Sequence, residues 1–272
     1  MKILGLFVFM IVACQAVVAS EERKTINSPH WPVTVFASDL KRIDNLYFDG
    51  DDVIFATLET SKGRGKLIRI SASTVEEIVG GLSRPDGLAG NSKYFFITEE
   101  TKLGRILEYD RERKSLRTII EGLSKPEGID ILSGGDLVIA EDSKHGRLLR
   151  LSRNGELKVL LQDLRRPEGL CVTANDKVIV ALTKPGIIVT WQDGRYEVLL
   201  EDLNKPDQVE CEQDGTIWIS EDTEQGRLLK YSQGKLTVVL ENLSNPQGIT
   251  FGDDGAVYVA EQGASRILKI HR

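Results

Sequence analysis

The chain has 272 residues, of which 41% are hydrophobic and 28% are charged, with 35 Lys and Arg against 41 Asp and Glu. This composition is typical of a soluble globular protein and excludes the collagen-like and disordered classes. The net charge of −6 argues against a nucleic-acid partner, because phosphate binding needs a concentrated basic surface.

The first twenty residues have the organisation of a secretory signal peptide. Lys2 gives a short positive region, residues 3–13 form a continuous apolar run, and small residues at 18–20 precede the charged residues 21–24. We therefore expect a signal peptide over residues 1–20, a lead-in over 21–32, and a secreted or periplasmic protein without a membrane span. The less favoured alternatives are an N-terminal anchor helix and a lipoprotein with Cys14 as the lipidated residue.

The rest of the chain repeats one motif, Leu-x-x-Pro-acid-Gly-apolar. Copies begin at Leu82, Leu123, Leu164, Leu203 and Leu243, and a degenerate first copy begins at Leu40. The spacing from one copy to the next is 39 to 42 residues. Such a regular period near 40 predicts a repeat architecture.

Each repeat contains four short apolar segments separated by turns. In the third repeat they cover residues 128–132, 136–140, 147–151 and 157–161, and two of the turns contain glycine. Short apolar segments joined by compact glycine turns indicate antiparallel hairpins, and four such strands form a propeller blade. Apolar stripes with helical period are absent, so we predict an all-β protein.

The two ends of the chain predict how the ring closes. The last repeat stops at Arg272 after its third strand, whereas residues 35–40 match the fourth-strand pattern of residues 159–164. An N-terminal strand can therefore complete the last blade and leave few exposed sheet edges. We predict a single six-bladed β-propeller domain over residues 33–272, and we expect a monomer.

The acidic position of the motif follows the loop that enters the innermost strand of each blade, which places it near the mouth of the central channel. These positions are Asp44, Asp86, Glu127, Glu168 and Asp207, with Gln247 in the last blade. Five converging carboxylates repel one another unless they are exposed, protonated or bound to a cation, and this number of oxygen ligands suits Ca²⁺. The equally favoured alternative is a ring of solvated scaffold acids.

A second acid recurs after the second strand, four times with an arginine at the start of the third strand. The pairs are Glu99 with Arg105, Glu141 with Arg147, Glu221 with Arg227, and Glu261 with Arg266. Blade 4 has Leu182 and Ile187 instead, and this joint loss predicts a structural ion pair within each blade. The neighbouring Glu100, Asp142 and Asp222 are weaker candidates for a site.

Histidines and cysteines are scarce, which limits the available chemistry. Three histidines without metal-ligand spacing argue against a histidine base or a zinc site. Cys171 and Cys211 lie on the inner strands of adjacent blades, and their motif positions differ by one residue, which tends to point them to opposite faces. We therefore expect two buried free thiols, with a disulfide as the alternative.

The motifs at residues 85–88, 126–129, 140–142 and 146–149 resemble six-bladed propellers of the SMP-30/gluconolactonase/strictosidine-synthase-like group and the related NHL repeats. The resemblance covers about residues 33–272. It implies a single divalent cation, often Ca²⁺, at the channel mouth. Asp44 and Asp207 match two of the family's ligand positions, while Glu127 or Glu168 stands where the family often has Asn.

Two functions remain open from the sequence. The first is an exported, Ca²⁺-dependent hydrolase of a small lactone or ester, with Asp207 and Glu168 as catalytic residues. Its cation ligands would come from the ring of Asp44, Asp86, Glu127, Glu168 and Asp207. The second is a non-catalytic, NHL-type binding propeller that recognises a protein or a small ligand on its loop face.

Overall fold

Six four-stranded antiparallel sheets make up the computed structural model, which describes residues 31–71 and 74–272. They confirm the predicted all-β, six-bladed propeller. The predicted signal peptide, Cys14 and nearly all of the lead-in lie outside the described residues. Within the described residues, no helix is long and apolar enough to cross a membrane.

Each of the first five blades is built from four consecutive strands. Blades 1 to 3 contain β2 (Ile43–Phe48), β3 (Ile54–Leu58), β4 (Gly65–Ser71) and β5 (Thr74–Leu82); β6 (Pro85–Gly90), β7 (Tyr94–Glu99), β8 (Gly104–Asp110) and β9 (Ser115–Leu123); β10 (Pro126–Ile131), β11 (Leu137–Glu141), β12 (Gly146–Leu151) and β13 (Leu157–Leu164). Blades 4 and 5 contain β14 (Pro167–Val172), β15 (Val178–Leu182), β16 (Ile187–Gln192) and β17 (Arg195–Leu200); β18 (Pro206–Cys211), β19 (Ile217–Glu221), β20 (Gly226–Ser232) and β21 (Lys235–Leu243).

The sixth blade joins the two ends of the described chain. It contains β22 (Pro246–Phe251), β23 (Val257–Glu261), β24 (Arg266–Ile270) and β1 (Val33–Ala37). Val33 pairs with Ile270 across the antiparallel β1–β24 ladder. This pairing confirms the predicted closure by the N-terminal strand.

Burial changes systematically from the axis of the ring to its rim. Strands β11, β15, β19 and β23 are buried at every residue, because neighbouring blades cover both of their faces. The outer strand β13 is mostly exposed. The apolar core therefore lies between blades, as where Trp218 of blade 5 packs with Ile249 and Val257 of blade 6.

The motif glycines allow the inner strands of neighbouring blades to approach closely. A β-carbon on Gly87 would overlap the carbonyl oxygen of Glu127, and one on Gly128 would overlap the carbonyl oxygen of Glu168. Any side chain at these positions would push the blades apart. The glycines at these positions thus allow neighbouring inner strands to lie close together at the channel mouth.

Cys171 and Cys211 form a disulfide, with their Cα atoms 5.7 Å apart, so the expectation of two free thiols is wrong. Adjacent inner strands are displaced by one residue relative to each other. The same relation lets the Asp130 carboxylate accept a hydrogen bond from the backbone N–H of Val172 at 2.7 Å. A one-residue difference in motif position therefore brings two side chains of neighbouring blades together.

Removal of this cross-link should lower the stability of the ring. The double variant Cys171→Ala/Cys211→Ala opens a closed loop with a sequence separation of 40 residues. We expect the free energy of unfolding to fall by about 4 kcal/mol in urea denaturation, because the unfolded chain gains loop entropy. A reductant should bring the wild-type protein to the stability of the variant and leave the variant unchanged. Equal urea midpoints under oxidising conditions would contradict the expected role.

Candidate site at the channel mouth

The predicted ring of acids converges at one end of the channel. Each is the second residue of an inner strand, and each is at most 7% exposed, because the neighbouring blades enclose it. They line a cavity of 330 Å³. The ring members are Asp44, Asp86, Glu127, Glu168 and Asp207, with Gln247 completing the circle. The structure therefore brings together every residue that the sequence nominated for the site.

A second set of acids, which the sequence ranked as weaker or did not nominate, lines the same cavity. It comprises Glu59, Glu100, Asp142 and Asp222, which directly follow the second strands of their blades. Glu100 and Asp142 are among the most buried polar residues of the described chain, at 3% and 2% exposure. From the sequence, Glu100, Asp142 and Asp222 are weaker candidates, but the end of each second strand brings them to the same cavity as the ring acids.

Basic side chains between these acids form a ladder that the sequence did not predict. They come from the residue before the motif proline. Lys125 Nζ lies 2.5 Å from Glu100 and 3.2 Å from Asp142. Arg166 continues the ladder at 2.7 Å from Asp142 and 3.2 Å from Glu168. Arg84 bridges Glu59 and Glu100 in the same way.

The backbone conformation explains why these basic side chains reach the mouth. All six residues at this motif position, which precedes a proline in five blades and Ile43 in blade 1, have a left-handed φ; they are Arg42, Arg84, Lys125, Arg166, Lys205 and Asn245. This conformation is unfavourable for residues other than glycine. Hydrogen bonds hold it, since Lys125 N–H donates to the Thr101 carbonyl and its own carbonyl accepts from Asp142 N–H, both at 2.9 Å.

The acids of the inner ring have raised pKa values. Burial, reinforced by neighbouring carboxylates, raises the pKa of Asp44, Asp86, Glu127 and Asp207 well above the usual range. Burial also raises the pKa of Glu168, although hydrogen bonds from Thr183 and Arg166 partly offset the effect. The mouth therefore binds protons readily, and a cation there would compete with them.

Unpartnered oxygens indicate which part of the ring could hold a cation. Oδ1 of Asp207 is buried and has no hydrogen-bond partner, and the same is true of Oδ1 of Asp44 and of Asp86. Glu127, Glu168 and Asp207 each offer an oxygen, and the three lie within 4.8 Å of one another. Oxygen ligands at this spacing around an unsatisfied buried carboxylate fit a hard cation such as Ca²⁺.

The predicted Glu–Arg pairs are present in blades 2, 3, 5 and 6 and lie outside the mouth. The Glu141 carboxylate accepts from Arg147 Nε at 2.5 Å and from the Ser124 backbone N–H at 2.7 Å. The other three glutamates make the same two contacts within their own blades. These pairs tie the motif loop to the second and third strands.

The fold is shared with solved propellers of different activities. A gluconolactonase from Xanthomonas campestris, XC5397, has 14% sequence identity and a TM-score of 0.77, covering 92% of this chain and 95% of that one. Streptogramin B lyase has 14% identity and a TM-score of 0.66, with 89% and 97% covered. A chain of the nidogen/laminin complex has 22% identity and a TM-score of 0.62, with 73% and 79% covered.

These similarities establish the class of the protein, a six-bladed β-propeller with the architecture of the gluconolactonases. No protein-family model and no curated protein matches the amino-acid sequence. At these identities the likeness extends to the fold alone.

Blade 4 suggests a direct test of the Glu–Arg pairs. Glu141→Leu alone should lower the free energy of unfolding by about 3 kcal/mol, because Arg147 and the Ser124 N–H lose a buried partner. Glu141→Leu with Arg147→Ile reproduces the Leu182–Ile187 pair of blade 4 and should cost only about 1 kcal/mol. Urea denaturation of both variants measures the difference. Equal losses would show that the ion pair is not the stabilising contact.

The raised pKa values also predict how stability depends on pH without divalent cations. A buried acid with a raised pKa stabilises the fold below its ordinary pKa near 4, and this contribution is lost as the pH rises through the folded-state value. Asp207→Asn should therefore become more stable relative to wild type between pH 5 and pH 8, by more than about 1 kcal/mol. Thermal and urea unfolding in EDTA provide the measurement. The exposed Asp193→Asn serves as the control, and a constant difference for Asp207→Asn would contradict the burial argument.

Proposed function

We propose that the protein is a Ca²⁺-dependent hydrolase of a small lactone or ester, with its site at the channel mouth. The observation that carries the proposal is the cluster of Glu127, Glu168 and Asp207, in which a buried carboxylate oxygen lacks a partner. The side chains lining the mouth are all charged or carry amides, which suits a hydroxyl-rich lactone. The shared fold with a gluconolactonase is consistent with this substrate class.

Three carboxylates at the mouth share the binding of the cation in this proposal, and two of them, Glu168 and Asp207, have a further role. Glu127, Glu168 and Asp207 would hold the cation, with Asp44 and Asp86 completing the negative ring. A bound Ca²⁺ supplies Lewis acidity that polarises the substrate carbonyl. Glu168 is fixed at both oxygens, by Arg166 at 3.2 Å and by the Thr183 hydroxyl. It therefore orients the substrate and the attacking water.

Asp207 is the proposed general base: one of its carboxylate oxygens would bind the cation, and the other would accept the proton of the attacking water. As the water oxygen bonds to the carbonyl carbon, its proton passes to Asp207. The ring C–O bond then breaks, and the leaving alkoxide takes up the proton, which gives the hydroxy acid.

We also propose that the protein is exported, to the periplasm or to the cell exterior. The Cys171–Cys211 disulfide supports this location, because disulfides persist in oxidising compartments. The support is independent of the amino-terminal sequence pattern.

A specific contact favours a second function, a binding propeller that recognises a cationic group. Lys125 Nζ already lies between the carboxylates of Glu100 and Asp142, so the mouth accommodates a primary ammonium. A lysine or amine of a partner could bind the remaining acids in the same manner. This function requires neither a metal ion nor Asp207 as a base.

Calcium binding and lactone hydrolysis together test the main proposal. At a Ca²⁺ concentration of 100 times the Kd, the free energy of unfolding should rise by about 2.7 kcal/mol. Asp207→Asn should abolish this gain, whereas the exposed Asp163→Asn should keep it. Hydrolysis of gluconolactone, followed by acid release, should require Ca²⁺ and fall at least about 100-fold in Glu168→Gln.

Two outcomes would decide against the hydrolase. Metal analysis that finds no divalent ion, combined with no stabilisation by Ca²⁺, would remove the cation site. Ca²⁺ binding without hydrolysis of gluconolactone or of a panel of small lactones and esters would leave the cation site and remove the hydrolase.

A further inference from the structure

The channel contains a second cavity beyond the acidic mouth. It has a volume of 260 Å³ and lies among the later residues of the inner strands. Its polar lining comes from the residues Asn45, Asp130, Gln208, Glu210 and Thr250. None of the ring acids contributes to it, so it is distinct from the proposed cation site.

Gln208 occupies a position where most blades have the motif glycine. The glutamine is only 5% exposed, and its Nε2 is buried without a hydrogen-bond partner. Within the described part of the chain the Gln208 side chain makes no hydrogen bond, and its backbone N–H donates to the Ser220 hydroxyl at 3.1 Å. Leaving a buried amide N–H group without a hydrogen-bond acceptor has a free-energy cost. This cost is relieved if a ligand occupies the cavity.

Carboxyl groups face the same space. Glu210 makes no hydrogen bond or ion pair with the described residues, whereas Asp130 accepts from the backbone N–H of Ile131 and of Val172, each at 2.7 Å. Burial raises the pKa of Asp130 to about 6, and burial together with Asp130 raises the pKa of Glu210 well above its usual range. A protonated Glu210 could donate as well as accept a hydrogen bond.

The hydrogen-bond donors and acceptors that line this cavity favour one class of ligand over the others. A bare metal ion would satisfy Glu210 but would leave the buried Nε2 of Gln208 without a hydrogen-bond acceptor. An anion would satisfy the amides but be repelled by Glu210 and Asp130 when these are ionised. A hydroxyl group both donates and accepts, so it can satisfy every one of these side chains. Tyr47 adds an aromatic wall against which C–H groups can pack.

We propose that this lower cavity, lined by Gln208, Glu210 and Asp130, binds a small polyol. Its volume sits just below the usual range for ligand pockets, which limits the ligand to about three to six carbons. The site does not depend on the proposed cation or on hydrolysis at the mouth.

Sorbitol and glycerol are suitable probes, titrated into the full chain in EDTA and observed by saturation-transfer NMR or calorimetry. Polyols stabilise proteins nonspecifically, so a thermal shift alone would be uninformative. We expect saturable binding of sorbitol that weakens at least about tenfold in Gln208→Gly and in Glu210→Gln. Gly is the consensus residue at position 208, so the first variant should keep its fold.

Matched controls separate this site from the mouth and from general effects. Gln233→Gly and Glu197→Gln change exposed residues outside the cavity and should bind sorbitol as the wild type does. Asp207→Asn, which disables the proposed cation site, should also bind normally. Non-saturable binding, equal affinity in all variants, or loss in Asp207→Asn alone would overturn the proposal. So would a crystal structure grown with sorbitol that contains only water in the cavity.

Discussion

The close approach of neighbouring inner strands at the motif glycines is the constraint on which the structure depends. Because Gly87 and Gly128 let the next blade's backbone come within contact, six inner strands fit around a narrow axis. The residue before each of these glycines lies at the channel mouth. Blade packing therefore determines where the ring lies, and the residue types at its positions determine its charge.

The mouth is stable because acidic and basic side chains form ion pairs with one another there. Five converging acids alone would repel one another strongly, and burial would increase the cost. Lys125 and Arg166 offset this repulsion by bridging acids of adjacent blades. The series of bridges ends at blade 4, because Thr183 stands there in place of the acid that follows the second strand in blades 1, 2, 3 and 5. The Thr183 hydroxyl instead donates a hydrogen bond to Glu168. The proposed cation site lies beside this interruption, where the ring retains uncompensated negative charge.

The sequence predicted the features that repeat and missed those that depend on backbone conformation. The 40-residue period, the closing strand and the inner ring follow from motif spacing. The basic ladder does not, because a left-handed φ at Lys125 or Arg166 has no sequence signature before a proline. The Cys171–Cys211 bond was missed because the one-residue displacement between inner strands exists only once the blades have packed. The hydrogen bond between Asp130 and Val172 shows the same displacement in the neighbouring pair of blades.

The pairing of β1 with β24 has a topological consequence. Val33 lies opposite Ile270, and the His271 backbone N–H donates to the Pro32 carbonyl at 2.9 Å, so the two ends of the ring are neighbours. A short linker could join them, and the chain could be reopened in an exposed turn of another blade. The ring is thus suited to circular permutation: a permuted chain would begin with a different blade but could pack the six blades in the same circular order.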